Sequence, residues 1–261
     1  MALVSLYVSI ASGIAVTLQY QTHDAYHSVL MLEQLVPYGA FFRSLHFYAS
    51  QAFFLLLIGH FLAVAPRFAE MTWAEYLRLA SVLPVTVLLL FTGYVLRADS
   101  TGSAAGRIAE AIVLTIPFIG KTCDSLFVAL SSHGLSRIFL HHVVTLGLIL
   151  LLLVWQHLHR YRVATGDYLW LVAALALFCA VVPAPLDADR LGRVIITGPW
   201  FFLGIQEALR YLPTLVAGVI LPAFLLVALA SLPGKHRRAA SGVVVFWLTA
   251  YAVLSLVAAW R

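Results

Sequence analysis

FFRSLHFYASQAFFLLLIGHFLAV, residues 41–64, decides how this chain folds. The run is apolar and long enough to cross a bilayer as one helix, which takes about 20 residues. Inside it stand two ionisable side chains, His46 and His60, fourteen residues apart. An ionisable group at membrane depth is costly and marks function. Residues 137–157 repeat the pattern with His142 and His157, fifteen residues apart. At a helical rise of ~1.5 Å per residue the two steps cover ~21 and ~22 Å. At ~100° per residue they end ~40° short of whole turns and ~60° beyond them, so each pair shares one broad helix face. Two such helices set face to face can clamp two flat metal centres, one above the other. Bis-histidine haem is the natural occupant.

Composition supports the membrane assignment independently. Of 261 residues, 62% are hydrophobic and only 10% charged, against about one quarter charged in a soluble domain. Cys123 and Cys179 form no CxxC or CxxCH pattern, which argues against an iron–sulfur cluster, a zinc site and covalently attached haem. Cys179 lies in an apolar run and reads as packing. The formal charge of +5 comes mostly from residues outside the apolar runs and suits anionic lipid rather than nucleic acid. No basic stretch precedes the first apolar run, so no cleavable signal is expected.

Seven spans are expected: 2–18, 41–64, about 79–96, 137–156 continuing to His159, 168–182, 214–232 and 243–260. Between the first two lie Asp24, a helical stretch 26–35 and a Pro37-Tyr38-Gly39 turn. Residues 97–136 form a long connection with short amphipathic helices at 108–115 and 124–130, broken at Pro117 and Gly120. Another short helix is expected over 200–211, after the Gly198-Pro199 turn. The loops after spans two, four and six hold Arg67, Arg78, Arg160, Arg162, Lys235, Arg237 and Arg238 against Glu70, Glu75 and Asp167. Short basic loops face the cytoplasm.

Several of these stretches resemble one family. Arg43-Ser44-Leu45-His46 followed by His60 resembles the second helix of cytochrome b from quinol-oxidising bc and bf complexes. Gly13 sits where that family's first helix carries a glycine, and Gly93-Tyr94 with Asp99 resembles its GY-L-P-W-D segment. Ile116-Pro117-Phe118-Ile119-Gly120 is similar to its IP-IG connector, and Arg137 to His142 to its RF--LH. Gly198-Pro199-Trp200-Phe201-Phe202-Leu203, then Leu209-Arg210 and Pro213, resembles PEWYFL and the trailing LR-IP. The fifteen-residue step from His142 to His157 resembles the bf branch, and seven spans match that branch's two polypeptides joined in one chain.

The resemblance implies an all-α polytopic membrane protein: a four-helix dihaem domain over residues 1–163 and a three-helix, subunit IV-like domain over 164–261. It implies that His46 and His142 ligate the outer haem, and His60 and His157 the cytoplasmic one. Arg43 is placed to pair with a haem propionate. Gly13 and Gly93 would let a macrocycle approach the backbone, or simply serve helix packing. His141 and His159 form a competing second pair, whose ~27 Å separation matches the first pair's ~21 Å poorly. His23, His27, His133 and His236 lie in connections, where His27 and His133 are candidates for contact with a quinone or partner.

The family's PEWY glutamate corresponds to Pro199 here and its tyrosine to Phe201, so Pro199, Trp200 and Phe201 are quinone-site candidates without a base. Deprotonating a quinol needs a base within hydrogen-bond reach. Glu207 is the candidate replacement, the alternative being an exposed carboxylate at the membrane surface. Leu79 replaces a cytoplasmic-side glycine, Ala63 an arginine, and Ser5 the cysteine that attaches a further haem in the bf branch, so no covalent haem c is expected. The expected function is electron transfer through two non-covalent haem b groups, with a membrane quinone as substrate. A Rieske iron–sulfur protein and/or a c-type cytochrome would be partners, within a homodimer in a prokaryotic cytoplasmic membrane. Two other readings stand beside it: a dihaem quinone-linked anchor of a multihaem cytochrome or molybdoenzyme, and a proton-coupled transporter.

Overall fold

The structure, a computed structural model, describes residues 1–130, 134–161, 164–188 and 196–260. His133 and Arg162 lie outside the described residues. Helices are α1 (Ala2–Thr17), α2 (Ala25–Gln34), α3 (Gly39–Val64), α4 (Trp73–Ala80), α5 (Val82–Leu96), α6 (Ser100–Leu114), α7 (Gly120–Phe127), α8 (Gly134–Leu140), α9 (Leu146–Arg160), α10 (Leu169–Val181), α11 (Leu203–Ala208), α12 (Leu221–Ala230) and α13 (Arg237–Trp260). The chain is all-α and a multi-pass integral membrane protein. Four continuous stretches are long and apolar enough to cross a bilayer: Gly39–Glu70, Trp73–Leu96, Gly134–Arg160 and Arg237–Trp260. A fifth arises if α1 and the helix after it, bent by 78°, count as one span. The remaining expected spans correspond to the shorter apolar stretches Thr165–Val181 and Val216–Ala230.

Differences at the helix ends have local causes. The third span reaches back to Trp73 because Thr72 and Glu75 form a capping box: Glu75 N–H donates to Thr72 Oγ1 at 3.3 Å, and Thr72 N–H to Glu75 Oε2 at 3.2 Å. The first amphipathic helix starts at Ser100, not 108, because Asp99 accepts from Gly102 N–H at 2.8 Å and caps it. The last span starts at Arg237, six residues before the apolar run begins.

Helices α1, α3, α5 and α9 form a bundle, with α1 lying along α3. On α1 the buried small residues Ser5, Ser9 and Ser12 make close approach possible, and Ala49 on α3 is fully buried. Small residues are what let helix backbones approach within lipid. Each of the four helices gives one residue to a central apolar cluster of Leu6, Phe53, Val82 and Leu150. Phe53 stands seven residues from both His46 and His60, so this layer lies between the two histidine levels. A second cluster at the His60 end joins Phe68 and Tyr76 to Leu232 and Ala240, with Tyr76 O–H donating to Leu229 O at 2.7 Å. A third, Val95, Leu96 and Ile138, closes the other end.

Above that third cluster the chain turns sharply at Ala98, whose φ of 54° is a strained conformation for alanine. Fully buried Asp99 fixes the turn. It accepts from Thr101 Oγ1 at 3.1 Å and Asp187 N–H at 3.0 Å, and pairs with Arg97. The segment after α10 is thereby strapped across the bundle end, where Ala184 N–H also donates to Ser44 Oγ at 2.9 Å.

Candidate haem-binding sites

The bundle brings together, across its helices, the two ligand pairs that the family resemblance implies. Ring centroids of His46 and His142 are 6.2 Å apart, and those of His60 and His157 6.0 Å apart. Two imidazoles bound to one metal at ~2 Å each, with ~1.1 Å from each nitrogen to its ring centre, put the centroids ~6 Å apart. Both separations fit one iron between two rings. Among the described residues no group of three or more His, Cys, Asp or Glu side chains has a metal-site layout.

A helix irregularity reconciles the unequal steps. Residues His141–Thr145 form a π-helical turn between α8 and α9. A π-turn holds one extra residue, so fifteen residues rotate like fourteen and end ~40° short of whole turns. That is the offset of the first pair. The ~60° estimate for this step, made for a regular helix, is corrected accordingly.

The rings of the His46 level are also held in one tautomer. His46 Nδ1 donates to Ser9 O at 2.8 Å, an acceptor that has no proton to give. His142 Nδ1 lies 2.9 Å from Thr92 Oγ1, whose hydroxyl also reaches Leu88 O at 2.8 Å, and the imidazole also hydrogen-bonds the backbone of Leu89. With the Thr92 proton on Leu88 O, both Nδ1 atoms carry a proton and both Nε2 atoms keep the lone pair that binds metal. Sequence reading missed Ser9 and Thr92. No spacing rule marks a backbone carbonyl or a threonine across a helix interface.

The glycines serve these rings directly. A Cβ on Gly13 would lie 2.8 Å from His46 Cε1, and one on Gly93 3.0 Å from His142 Cε1. At both positions the missing side chain makes room for an imidazole.

Arg43 is buried and engaged by protein. Its guanidinium pairs with Glu33 at 2.6 Å and donates to Pro185 O at 3.2 Å and to Ala184 O, leaving Nε without a hydrogen-bond partner. Arg97 Nε and Arg137 Nη1 are likewise buried donors without partners, on segments adjoining the same end of the bundle. At the other end Arg78 Nε is a fourth. Buried orphan donors are rare, and a dianionic macrocycle is chemistry that suits them.

The competing pair along this helix, His141 and His159, meets other partners than His46 and His60. His141 Nε2 donates to Leu126 O at 2.9 Å and its ring packs on Phe127 at 5.2 Å, while exposed His159 packs on Trp155 at 4.6 Å. Exposed His27 bonds Asp24 at 2.7 Å, and His23 and His236 are exposed.

The 199–207 segment packs beside the bundle. Trp200 Nε1 donates to Gln51 Oε1 at 2.9 Å, and Phe202 meets Phe91, the neighbour of Thr92, at 5.0 Å. Tyr251 O–H donates to Phe201 O at 2.7 Å, and Pro199 leads into the short helical turn that begins at Trp200. Glu207 is buried, not exposed at the membrane surface; it accepts from Tyr211 O–H at 2.9 Å and lies 3.6 Å from Arg210.

Residues 1–164 match the family described as Cytochrome b/b6/petB, and the chain belongs to that cytochrome b family. It is 27% identical over 170 residues to cytochrome b6 of Heliobacterium mobile, covering 62% of this chain and 80% of that one. Over 167 residues it is 30% identical to cytochrome b6 of Prochlorococcus marinus (strain MIT 9303), covering 59% and 74%. Among solved structures, a chain of a hyperthermophilic respiratory Complex III aligns over 99% of this chain and 82% of its own, with a TM-score of 0.76 and 20% identity, which is likeness of fold. Membership implies a non-covalent b-type haem.

Proposed function

We propose that this chain is the cytochrome b subunit of a quinol-oxidising membrane complex, with two non-covalent b haems, one held by His46 and His142 and one by His60 and His157. The observation that carries the reading is the recurrence of a ~6 Å ring separation at both levels of one apolar bundle. Haem at these positions supplies one-electron transfer. The chain does the remainder. Ser9 O and Thr92 Oγ1 hold the protons on Nδ1 of His46 and His142 and so orient both rings. Leu6, Phe53, Val82 and Leu150 exclude water between the two levels. Arg43, Arg97 and Arg137 offer unpaired donors to propionates at one level, and Arg78 at the other.

Pro199, Trp200 and Phe201 form the candidate edge of a quinone site, and Glu207 is its candidate proton acceptor. The haem domain comprises residues 1–163 and the accessory domain 164–261. The short basic loops face the cytoplasm of a prokaryotic cell. A Rieske iron–sulfur protein and/or a c-type cytochrome receives the other electron of each quinol, within a homodimeric complex. Resemblance in fold to a chain of a respiratory Complex III supports this assembly.

The test is a reduced-minus-oxidised spectrum with a haem-to-protein ratio. Two b-type components at two haems per chain are expected, one of them lost in His46→Ala and the other in His60→Ala. Haem content unchanged in both variants refutes the reading. A second reading, a dihaem conduit without electron bifurcation, is favoured by one observation: Glu207 is engaged with Tyr211 and Arg210 while Pro199 stands in the motif position. A co-purifying Rieske protein and inhibitor-sensitive cytochrome c reduction decide for the first.

A further inference from the structure

We propose that Thr92 is a positioning residue that sets the donor strength of His142, and thereby the reduction equilibrium of the haem at the His46/His142 level; this rests on the ligand assignment above. Thr92 stands on α5, next to Gly93, whose missing side chain makes room for the same imidazole. One residue bonds the ring and its neighbour accommodates it. The hydroxyl oxygen lies 2.8 Å from Leu88 O and 3.1 Å from Leu89 O; with its single proton given to that turn, it meets His142 Nδ1 as an acceptor. A hydroxyl that is already donating is polarised and accepts more strongly. It draws on the Nδ1 proton, which makes Nε2 more basic and a better donor to a metal. A better donor stabilises the oxidised iron more than the reduced one and lowers its potential.

The two levels are unequal in this respect. His46 has Ser9 O, and His142 has Thr92 Oγ1 and the backbone of Leu89, whereas among the described residues no side-chain hydrogen bond reaches His60 or His157. Thr92 therefore acts on one haem and leaves the other as an internal control. Threonine in a helix ordinarily returns its hydroxyl to the preceding turn. The departure here is the second partner, supplied by a different helix.

The experiment uses the full chain purified in mild detergent with its co-purifying subunits. Redox potentiometry on the α-band, the haem-to-protein ratio and the low-spin EPR signal are measured for Thr92→Val, Thr92→Ser and His142→Ala. Thr92→Val is expected to keep both haems and raise the reduction equilibrium constant of one component about tenfold, equivalent to 59 mV for one electron. Its EPR signal should shift as the ring loses the Thr92 contact, the other component should not move, and Thr92→Ser should restore both readouts. If His142→Ala removes one component while Thr92→Val leaves both potentials and the EPR signal as in the parent, the inference about Thr92 is overturned and the ligand assignment survives. If His142→Ala leaves both components, the assignment itself falls. Should Thr92→Val lose the haem, serine decides: recovery of haem and potential supports the inference, and failure like valine's overturns it.

Discussion

Gly13→Ala places one methyl group against one ring. The added Cβ would stand 2.8 Å from His46 Cε1 and 2.9 Å from Nδ1, where ordinary contact begins at 3.4 Å. The ring must retreat by more than half an ångström, yet it is tied to Ser9 O at 2.8 Å, one turn away on the same helix as the intruding methyl. Overpacking of this kind costs about 1–3 kcal/mol, and losing the hydrogen bond adds about 1 kcal/mol. Replacing a mid-helix glycine by alanine returns about 1 kcal/mol. The balance is a loss of about 1–3 kcal/mol, or ~5- to 150-fold in haem affinity, confined to the His46/His142 level. Haem titration of detergent-purified apoprotein, resolving the two spectral components, measures it. Gly59→Ala and Gly147→Ala are the controls, because a Cβ at either position meets nothing within 4 Å. The reasoning is refuted if Gly13→Ala binds both haems as the parent does, or if Gly59→Ala, beside His60 in sequence, weakens binding equally.

Three further outcomes follow from other parts of the molecule. Asp99→Asn should cost about 3–5 kcal/mol, because it leaves Arg97 without its closest carboxylate in a buried corner; thermal melting in detergent reads this, and a Tm unchanged from the parent contradicts it. Phe53→Ala removes the aromatic layer between the two histidine levels and should cost about 3–5 kcal/mol by cavity formation, while haem stoichiometry in the protein that survives purification stays at two. Glu207→Gln keeps an acceptor for Tyr211 but abolishes proton uptake. Quinol-dependent reduction should then fall at least tenfold in kcat with KM little changed, whereas an equal fall in Tm with kcat intact assigns the carboxylate to the Tyr211–Arg210 contact alone.

What was legible in the sequence was whatever depends on period and composition. The long spans, the amphipathic pair after α5 and the four histidines follow from apolar runs and from helical spacing, which the chain cannot disguise. The boundaries followed caps instead: Thr72 with Glu75 and Asp99 with Gly102 extended helices beyond their apolar runs. Contacts between distant segments left no trace in local pattern. Arg43 reads as a partner for a haem propionate at a span boundary, but the segment after α10 comes back across the bundle and supplies two carbonyls to it. For Glu207 the sequence leaves a base and an exposed surface carboxylate side by side, because nothing local announces that it will be buried.

The π-turn at His141–Thr145 shows why spacing arithmetic succeeds here and where its reach ends. Taken as a regular helix, the fifteen-residue step differs from the fourteen-residue step by a full ~100° of rotation, enough to turn one ring away from its partner. One extra residue in a single turn removes that difference without moving His157. The irregularity falls at the ligand itself, where the helix has to pass Thr92 and Gly93 closely. The i→i−4 ladder is thus sacrificed for one turn where ring placement demands it, and a helix kept regular by deleting Val144 would shorten the step to fourteen residues. If the π-turn exists only to set register, that deletion should retain both haems and their potentials. If the turn also holds His142 against Thr92, the deletion should retain haem but move the same potential that Thr92→Val moves. Loss of the haem at this level under deletion, with Thr92→Val intact, would show that neither account of the turn is right.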